Sequence, residues 1–129
     1  ISLGEADIVV AFEMMEAVRY LPFMHADSQV IVNTHKIYPP AVATGKMTYP
    51  GNVLDELANN NIKVKELDAF EVARQVGEVR AVNIVMVCVL SNYIGIDEQV
   101  FLDVMNKRIP EKIREPNINA FLEGRKLGA

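Results

Sequence analysis

The sequence predicts an α/β fold: a three-layer domain on a mainly parallel sheet, with right-handed βαβ crossovers and several C-terminal helices. Three observations carry this. The runs Asp7 to Phe12 and Gln29 to Asn33 are short, apolar and rich in β-branched residues, as strands buried on both faces should be. Between them, in Glu13 to Phe23, Met14, Val18 and Leu21 recur at helical spacing with Ala17 beside them, which gives one apolar stripe. The joints are short, so the segment reads as a strand, a helix and a parallel strand.

In chain order, Gly4-Glu5-Ala6-Asp7 leads into the first strand. Pro22 closes the first helix or kinks its last turn, because it lacks an N–H and crowds the carbonyl four residues back. His25-Ala26-Asp27-Ser28 supplies the turn into the second strand. From Thr34 to Pro50 the periodicity breaks. His35 to Pro40 is expected to be extended, since residues before proline avoid the helix. Thr44-Gly45, between Ala41-Val42-Ala43 and Lys46-Met47-Thr48-Tyr49, suggests a small hairpin. A connection of this length often binds or docks something; Tyr38, Pro39, Pro40 and Tyr49 would form an apolar patch there, or simply pack the loop.

Asn52 is placed to cap a helix whose core face is Val53, Leu54, Leu57 and Ala58, ended by Asn59-Asn60-Asn61. Ile62 to Leu67 alternates with period two, so this strand has one wet face or lies at an edge. Asp68 and Glu71 make a capping-box pair for the next helix, with Leu67 and Val72 as its staple, and Gly77 ends it. Ala81 to Tyr93 is apolar nearly all round, which suits a central helix, although its β-branched content also suits a strand. Asp97 caps a further helix with Ile96 and Phe101 as staple and Phe101, Val104 and Met105 facing in. Pro110 fits the first turn of a short helix; Pro116 should stop it, and Asn117 should start the last helix through Ala120 and Phe121. No repeat or linker interrupts the 129 residues, so a single α/β domain over 1–129 is expected.

Half the residues are apolar and 23% are charged, a globular composition. The formal charge is -4, and no Lys/Arg cluster exceeds two residues. That argues against nucleic acid or an anionic membrane as partner. The single cysteine, Cys88, permits no internal disulfide and fits a reducing cytoplasm. The longest apolar run, Ile84 to Leu90, falls well short of the ~20 residues of a membrane span. No basic stretch followed by an apolar one marks a signal peptide. The chain opens at Ile1 almost directly on a strand, which suits a processed, truncated or partial chain.

Complete catalytic motifs are missing from the sequence. There is no G-x-G-x-x-G, no phosphate loop ending in Lys and Ser/Thr, and no G-x-S-x-G elbow. One cysteine cannot ligate an iron–sulfur cluster, which typically needs four. Two histidines, His25 and His35, with Cys88 make no zinc pattern. No catalytic residue and no metal ligand is therefore assigned, and a self-sufficient enzyme is not expected. In open α/β sheets ligands bind beyond the carboxyl ends of the strands. That edge carries Glu13, Asn33, Thr34 and His35, which are the ligand- or partner-contact candidates. Each has a plainer alternative. Glu13 favours the positive end of its helix. Asn33 and Thr34 satisfy local backbone groups. His35 sits on the surface. Asn83, an amide in an otherwise apolar helix, either bonds a neighbouring loop as a buried group or meets a ligand. Cys88 reads as an inert core thiol, and Met14, Met15, Met86 and Met105 as core filling.

The run Gly4-Glu5-Ala6-Asp7-Ile8-Val9-Val10-Ala11-Phe12-Glu13, with Glu16-Ala17 and Arg19-Tyr20-Leu21, resembles the gamma-type subunits of 2-oxoacid:ferredoxin oxidoreductases, the indolepyruvate type nearest. Val30 to Thr34, Pro39-Pro40, Tyr49-Pro50, Asp68-Ala69, Ala81 to Met86, Ile109 to Lys112, Asn117, Ala120-Phe121 and Gly124 continue the likeness. The resemblance implies a cytoplasmic subunit of a complex that oxidatively decarboxylates a 2-oxo acid to acyl-coenzyme A and passes electrons to ferredoxin. It implies that this chain alone binds no cofactor, and that a large companion subunit carries thiamine diphosphate and the iron–sulfur clusters. The gamma-type domain would contribute intersubunit surface in a homo- or hetero-oligomer, and part of the coenzyme A side. Members of that family begin with a further strand and a G-x-G-G-Q-G loop, and this sequence starts after that point; if the segment is truly absent, the sheet lacks a strand and has an open edge. Two other readings stand beside this one: a small-ligand or nucleotide-binding α/β module, and a purely structural assembly domain.

Overall fold

A computed structural model describes residues 1–36, 38, 40–45, 48 and 51–128. The chain divides into two compact units, Ile1–Leu67 and Asp68–Ala129. The first contains the expected parallel sheet. Strands β1 (Ala6–Ala11), β2 (Met24–Asn33) and β3 (Lys63–Leu67) lie in the order β1-β2-β3, and both pairings are parallel. Val30, Ile31 and Val32 of the central strand are all fully buried, as their unbroken apolar run requires. β3 lies at the edge of this three-stranded sheet, but the expected alternation is not kept along it: Lys63 and Glu66 are exposed, Val64 and Lys65 half-buried, and only Leu67 is buried.

Helix α1 (Met14–Arg19) joins β1 to β2, and α3 (Val53–Asn59) precedes β3. Both helices pack together over the sheet, with Met14, Ala17, Val53 and Leu57 meeting Val30 and Val32 in one core. Each of these larger side chains contributes about 1.5–3 kcal/mol on burial. α1 is shorter than its sequence suggests. Pro22 sits inside a 3₁₀ turn, Leu21–Phe23, because its fixed φ and missing N–H suit the start of a tight turn.

The turn expected at His25–Ser28 is instead part of β2, as an irregularity in the strand. Ala6 pairs with Met24, but Ile8 pairs with Gln29, and the residues between bulge out. Ser28 holds the bulge: its hydroxyl donates to the Ala6 carbonyl at 2.6 Å and accepts from the His25 N–H at 2.8 Å.

The expected hairpin is not found on its first arm. Ala41-Val42-Ala43 belongs to a single helical turn, α2 (Pro40–Ala43), closed by the Thr44 N–H on the Pro40 carbonyl. Proline is favourable in a first turn, which tips this segment toward helix. Of the second arm, Lys46, Met47 and Tyr49 lie outside the described residues, as do Pro39 and Pro50. Asn52 precedes α3 but makes no side-chain capping bond, and Ala58 is exposed rather than in the core face.

The second unit is helical: α4 (Ala69–Gln75), a 3₁₀ turn (Val79–Ala81), α5 (Val82–Ser91), α6 (Glu98–Arg108) and α7 (Glu111–Gly128). Asp68 caps α4 by accepting from the Glu71 N–H at 2.9 Å. Gly77, at φ +82°, closes the helix with the bonds of a Schellman end: its N–H on Arg74, and the Glu78 N–H on Ala73. The apolar segment around Ala81 to Tyr93 is helix, not strand. Its core face is Val85, Met86, Cys88 and Val89.

Three expectations fail here. Asn83 is exposed, so the amide interrupting the apolar run marks the helix's outer face and not a buried polar group. Val104 is exposed while Met105 is buried, and Ile96 is exposed, because α6 rolls Phe101 onto Phe121, whose rings stack at 5.4 Å. Pro116 lies inside α7 instead of ending a helix before it. A proline in a helix interior costs roughly 3 kcal/mol; burial of Ala120, Phe121 and Gly124 beyond it offsets that. The Asn117 side-chain amide also donates to the Ile113 carbonyl at 2.6 Å.

Small residues set the α5–α7 crossing. Ala120, Gly124 and Gly128 are four residues apart on α7. A Cβ on Gly124 would lie 2.9 Å from the Cys88 Cβ and 3.0 Å from the Val85 carbonyl oxygen, so the two helices approach to backbone contact.

Candidate functional site

The strands of the parallel sheet end at Ala11, Asn33 and Leu67, and the candidate site is the carboxyl edge they form. Glu13 follows β1 in an extended conformation and caps α1, its carboxylate accepting from the Met15 N–H at 2.8 Å. This is the electrostatic role that a helix start favours for an acid. Asn33 is almost wholly buried. Its amide donates to the Phe12 carbonyl at 3.3 Å and accepts from the His35 N–H at 3.2 Å. One side chain thus ties the end of β1 to the turn leaving β2. The Thr34 N–H donates to the Leu67 carbonyl at 2.8 Å and extends the β2–β3 ladder by one bond.

Beside this edge is a cleft of about 390 Å³, lined by Met14, Thr34, Lys36, Gly51, Val53, Leu54, Asp55 and Glu66. Thr34 is the one predicted site residue among them; Glu13, Asn33 and His35 are not. Lys36, Asp55 and Glu66 were missed. For Glu66 a signal existed: it is the penultimate residue of β3, and the rule that ligands sit beyond strand ends applies to that strand too. Asp55 gave none, because it reaches the cleft only through the packing of α3. Asn83 belongs to the other unit, where it is exposed on α5.

In the second unit a larger cleft, about 660 Å³, is lined by residues that include Asn92, Glu98, Glu123, Arg125 and Lys126. Its charges are spent on one another. Arg125 pairs with Glu98 at 3.0 Å and donates to the Ser91 hydroxyl at 2.7 Å, while Lys126 pairs with Glu123. Cys88 is buried on α5, donating to the Ile84 carbonyl. Burial pushes its thiol well above the ordinary range, the condition of an inert cysteine. Among the described residues, no three His, Cys, Asp or Glu stand together to hold a metal ion, and no helix is long and apolar enough to cross a membrane.

The comparisons with known proteins agree with one another. The family model described as pyruvate ferredoxin/flavodoxin oxidoreductase matches residues 1–127. Among curated proteins, the indolepyruvate oxidoreductase subunit IorB of Archaeoglobus fulgidus is 32% identical over 127 residues, covering 97% of this chain and 62% of the relative. That of Methanothermobacter thermautotrophicus is 31% identical over 125 residues, covering 94% and 64%. This chain therefore spans less than two thirds of the length of these relatives. Among solved structures, the keto/oxoacid ferredoxin oxidoreductase gamma subunit of Geobacter sulfurreducens superposes with a TM-score of 0.69 at 17% identity, covering 97% of this chain and 65% of that one. The pyruvate oxidoreductase subunit PORC of Thermotoga maritima gives 0.66 at 20% identity, covering 95% and 64%. Those two likenesses establish a shared fold.

Proposed function

This chain belongs to the pyruvate ferredoxin/flavodoxin oxidoreductase family, and from that premise we propose that it works as a gamma-type subunit of a 2-oxoacid:ferredoxin oxidoreductase of indolepyruvate or pyruvate type. The reaction is the oxidative decarboxylation of a 2-oxo acid to acyl-coenzyme A, with electrons leaving on ferredoxin. The observation that supports this most is coverage: one family model accounts for residues 1–127, and the curated relatives at 32% and 31% identity bear the name of subunits.

The residues present do not fit the redox groups such a reaction uses. An iron–sulfur cluster takes cysteine thiolates, typically four. This sequence has one thiol, buried and committed as a donor to Ile84. On that ground we assign the clusters, and on the family relation thiamine diphosphate, to a companion subunit in the cytoplasm. To this chain we assign intersubunit surface and an edge of the coenzyme A side. At the carboxyl edge of the sheet Glu13 and Asn33 hold the backbone, and Thr34 and His35 face ligand or partner; separately, in the second unit, Asn83 on α5 is a ligand or partner contact.

Co-expression with a companion subunit tests the reading. The expected result is co-purification and 2-oxo-acid-dependent reduction of ferredoxin by the pair, with none by the chain alone. Full activity of the isolated chain would refute it. The cleft containing Lys36 and Glu66 favours a second reading, a free-standing ligand module. Calorimetry of the isolated chain with coenzyme A and with nucleotides separates the two, tight binding without a companion favouring the module.

A further inference from the structure

We propose that the cleft of the helical unit binds a small organic acid, its carboxylate on Arg125 and its apolar body along α7. The pairings described above use only part of the guanidinium. Nε lies 3.0 Å from a Glu98 oxygen, and Nη1 donates to the Ser91 hydroxyl at 2.7 Å. A guanidinium carries five N–H donors, so with one spent on each of these partners three remain. None of the three has a partner among the described residues. A carboxylate satisfies such an open fork with two parallel bonds. Arg125 is also fixed in advance. Ser91 is 2% exposed and donates to the Cys88 carbonyl at 2.6 Å, and the Asn92 amide donates to the Arg125 carbonyl at 3.1 Å. α5 therefore holds both the head and the backbone of Arg125. Arginine has much rotamer freedom to lose, and a head already fixed loses little more when a ligand arrives.

The rest of the lining selects the ligand. Asn119, Leu122 and Arg125 follow one another in steps of three along α7, and all three line the cleft, together with Val76 at the end of α4. At the helical rise, Asn119 stands about 9 Å from Arg125 along the axis, with Leu122 between them. Asn119 is exposed and has no hydrogen-bond partner among the described residues. The row therefore fits a molecule with a carboxylate at one end, an apolar middle and one polar group at the other. The charged lining residues cancel, Glu98 and Glu123 against Arg125 and Lys126. No excess positive charge is left for a phosphate dianion, whereas a single carboxylate is matched by the one open fork. The volume of about 660 Å³ is that of a small-molecule site.

The inference does not rest on the functional assignment. NMR titration of the intact chain with acetate, phenylacetate, 4-hydroxyphenylacetate and inorganic phosphate, at constant ionic strength, tests it. The expected result is saturable movement of the Arg125 Nε–H and Asn119 amide signals with the two aromatic acids. Phenylacetate should bind about tenfold more tightly than acetate, through its apolar ring, and the hydroxyl should add about fivefold, through one hydrogen bond. Arg125→Gln should abolish binding of all three acids. Because that change also removes a tie between helices, Asn119→Ala carries an independent arm: the residue is exposed and unbonded, so its loss leaves the fold intact, and only the fivefold hydroxyl preference should vanish. Absence of saturable binding would overturn the proposal. So would phenylacetate binding no better than acetate, a hydroxyl preference that survives Asn119→Ala, undiminished affinity in Arg125→Gln, or phosphate binding more tightly than the aromatic acids.

Discussion

Replacing Gly124 by alanine tests the α5–α7 crossing directly. An alanine in a helix is intrinsically better than glycine by about 1 kcal/mol. On an open helix face Gly124→Ala would therefore stabilise. Here the new methyl would lie 2.9 Å from the Cys88 Cβ, 3.0 Å from the Val85 carbonyl oxygen and 3.2 Å from the Cys88 Sγ. Carbon contacts settle at about 3.5–4.0 Å, so the helices must separate by roughly half an ångström. The nearest atom is a Cβ and the next is backbone, neither of which can swing aside. Overpacking of this kind costs about 1–3 kcal/mol, which exceeds the propensity gain over most of its range. The expected net effect is a loss of about 1 kcal/mol, and a larger one for Gly124→Val.

Urea unfolding followed by helical dichroism reads the sum, and Cys88 supplies a local probe. It is the only thiol in the chain and is buried at the crossing. Its rate of reaction with a thiol reagent therefore reports how often α5 and α7 part. Each 1.4 kcal/mol lost locally raises that rate about tenfold in the regime of fast reclosing. Gly51→Ala is the control, since nothing lies within 4 Å of the added carbon; it should leave the Cys88 rate unchanged. If Gly124→Ala matches or exceeds the parent in stability, and Cys88 reacts no faster, the close crossing is wrong.

Asn33→Ala removes both bonds that tie β1 to the turn after β2. At about 1 kcal/mol per bond it should cost roughly 2 kcal/mol in thermal unfolding, and the His35 amide should lose protection from hydrogen exchange. Pro116→Ala restores a donor within α7, and a stabilisation of about 1–2 kcal/mol is expected by the same thermal measurement, less than the full proline penalty because proline also restricts the unfolded chain. The Arg74 guanidinium, through two hydrogen bonds at 2.7 Å, and then the Gln75 amide, hold the Glu71 carboxyl at about 2, below its ordinary 4.5. The folded value is depressed, so this pairing contributes fully above pH 4.5 and is lost as pH falls toward 2. A carboxyl NMR titration should show the low midpoint, and Arg74→Ala should return it toward 4.5.

What was legible in the sequence was what neighbours in the chain decide. Val30 to Val32 can only be a buried strand, and Ile62 to Leu67, read as a strand with one wet face or at an edge, does lie at the edge of the sheet as β3. Glu13, Asp68 and Asp97 each cap the helix that begins beside them, because a cap is closed within three residues. The misreadings share the opposite cause. Pro116 has the local signature of a helix end, but Phe121 and Gly124, further along, are packed well enough to carry the helix through. His25 to Ser28 has the composition of a turn, yet the Ser28 hydroxyl reaches Ala6 across the sheet and turns it into a bulge. Asn83 looked buried because its neighbours are apolar, and only the helix's orientation shows that it lies on the outer face together with Val87.

The candidate site divides in the same way, and the division bears on function. Glu13 and Asn33 were found because strand ends are legible, yet Glu13 accepts from the Met15 N–H and Asn33 bonds the backbone of Phe12 and His35. Lys36, Asp55 and Glu66 come together only once α3 has packed against the sheet, and no spacing in the sequence links them. The bonds of Glu13 and Asn33 make the edge a well-tied platform for whatever it meets. On the function proposed above, the iron–sulfur clusters come from a companion subunit, since a cluster typically takes four thiolates and this sequence has one. For that reason the family relation, which draws on the whole of residues 1–127, says more about the reaction than any one side chain does. Substitutions at Thr34 or His35 should accordingly alter assembly or ligand affinity before they alter the decarboxylation step. If either instead abolished turnover in a complex that still assembled and still bound coenzyme A, the platform reading would fail.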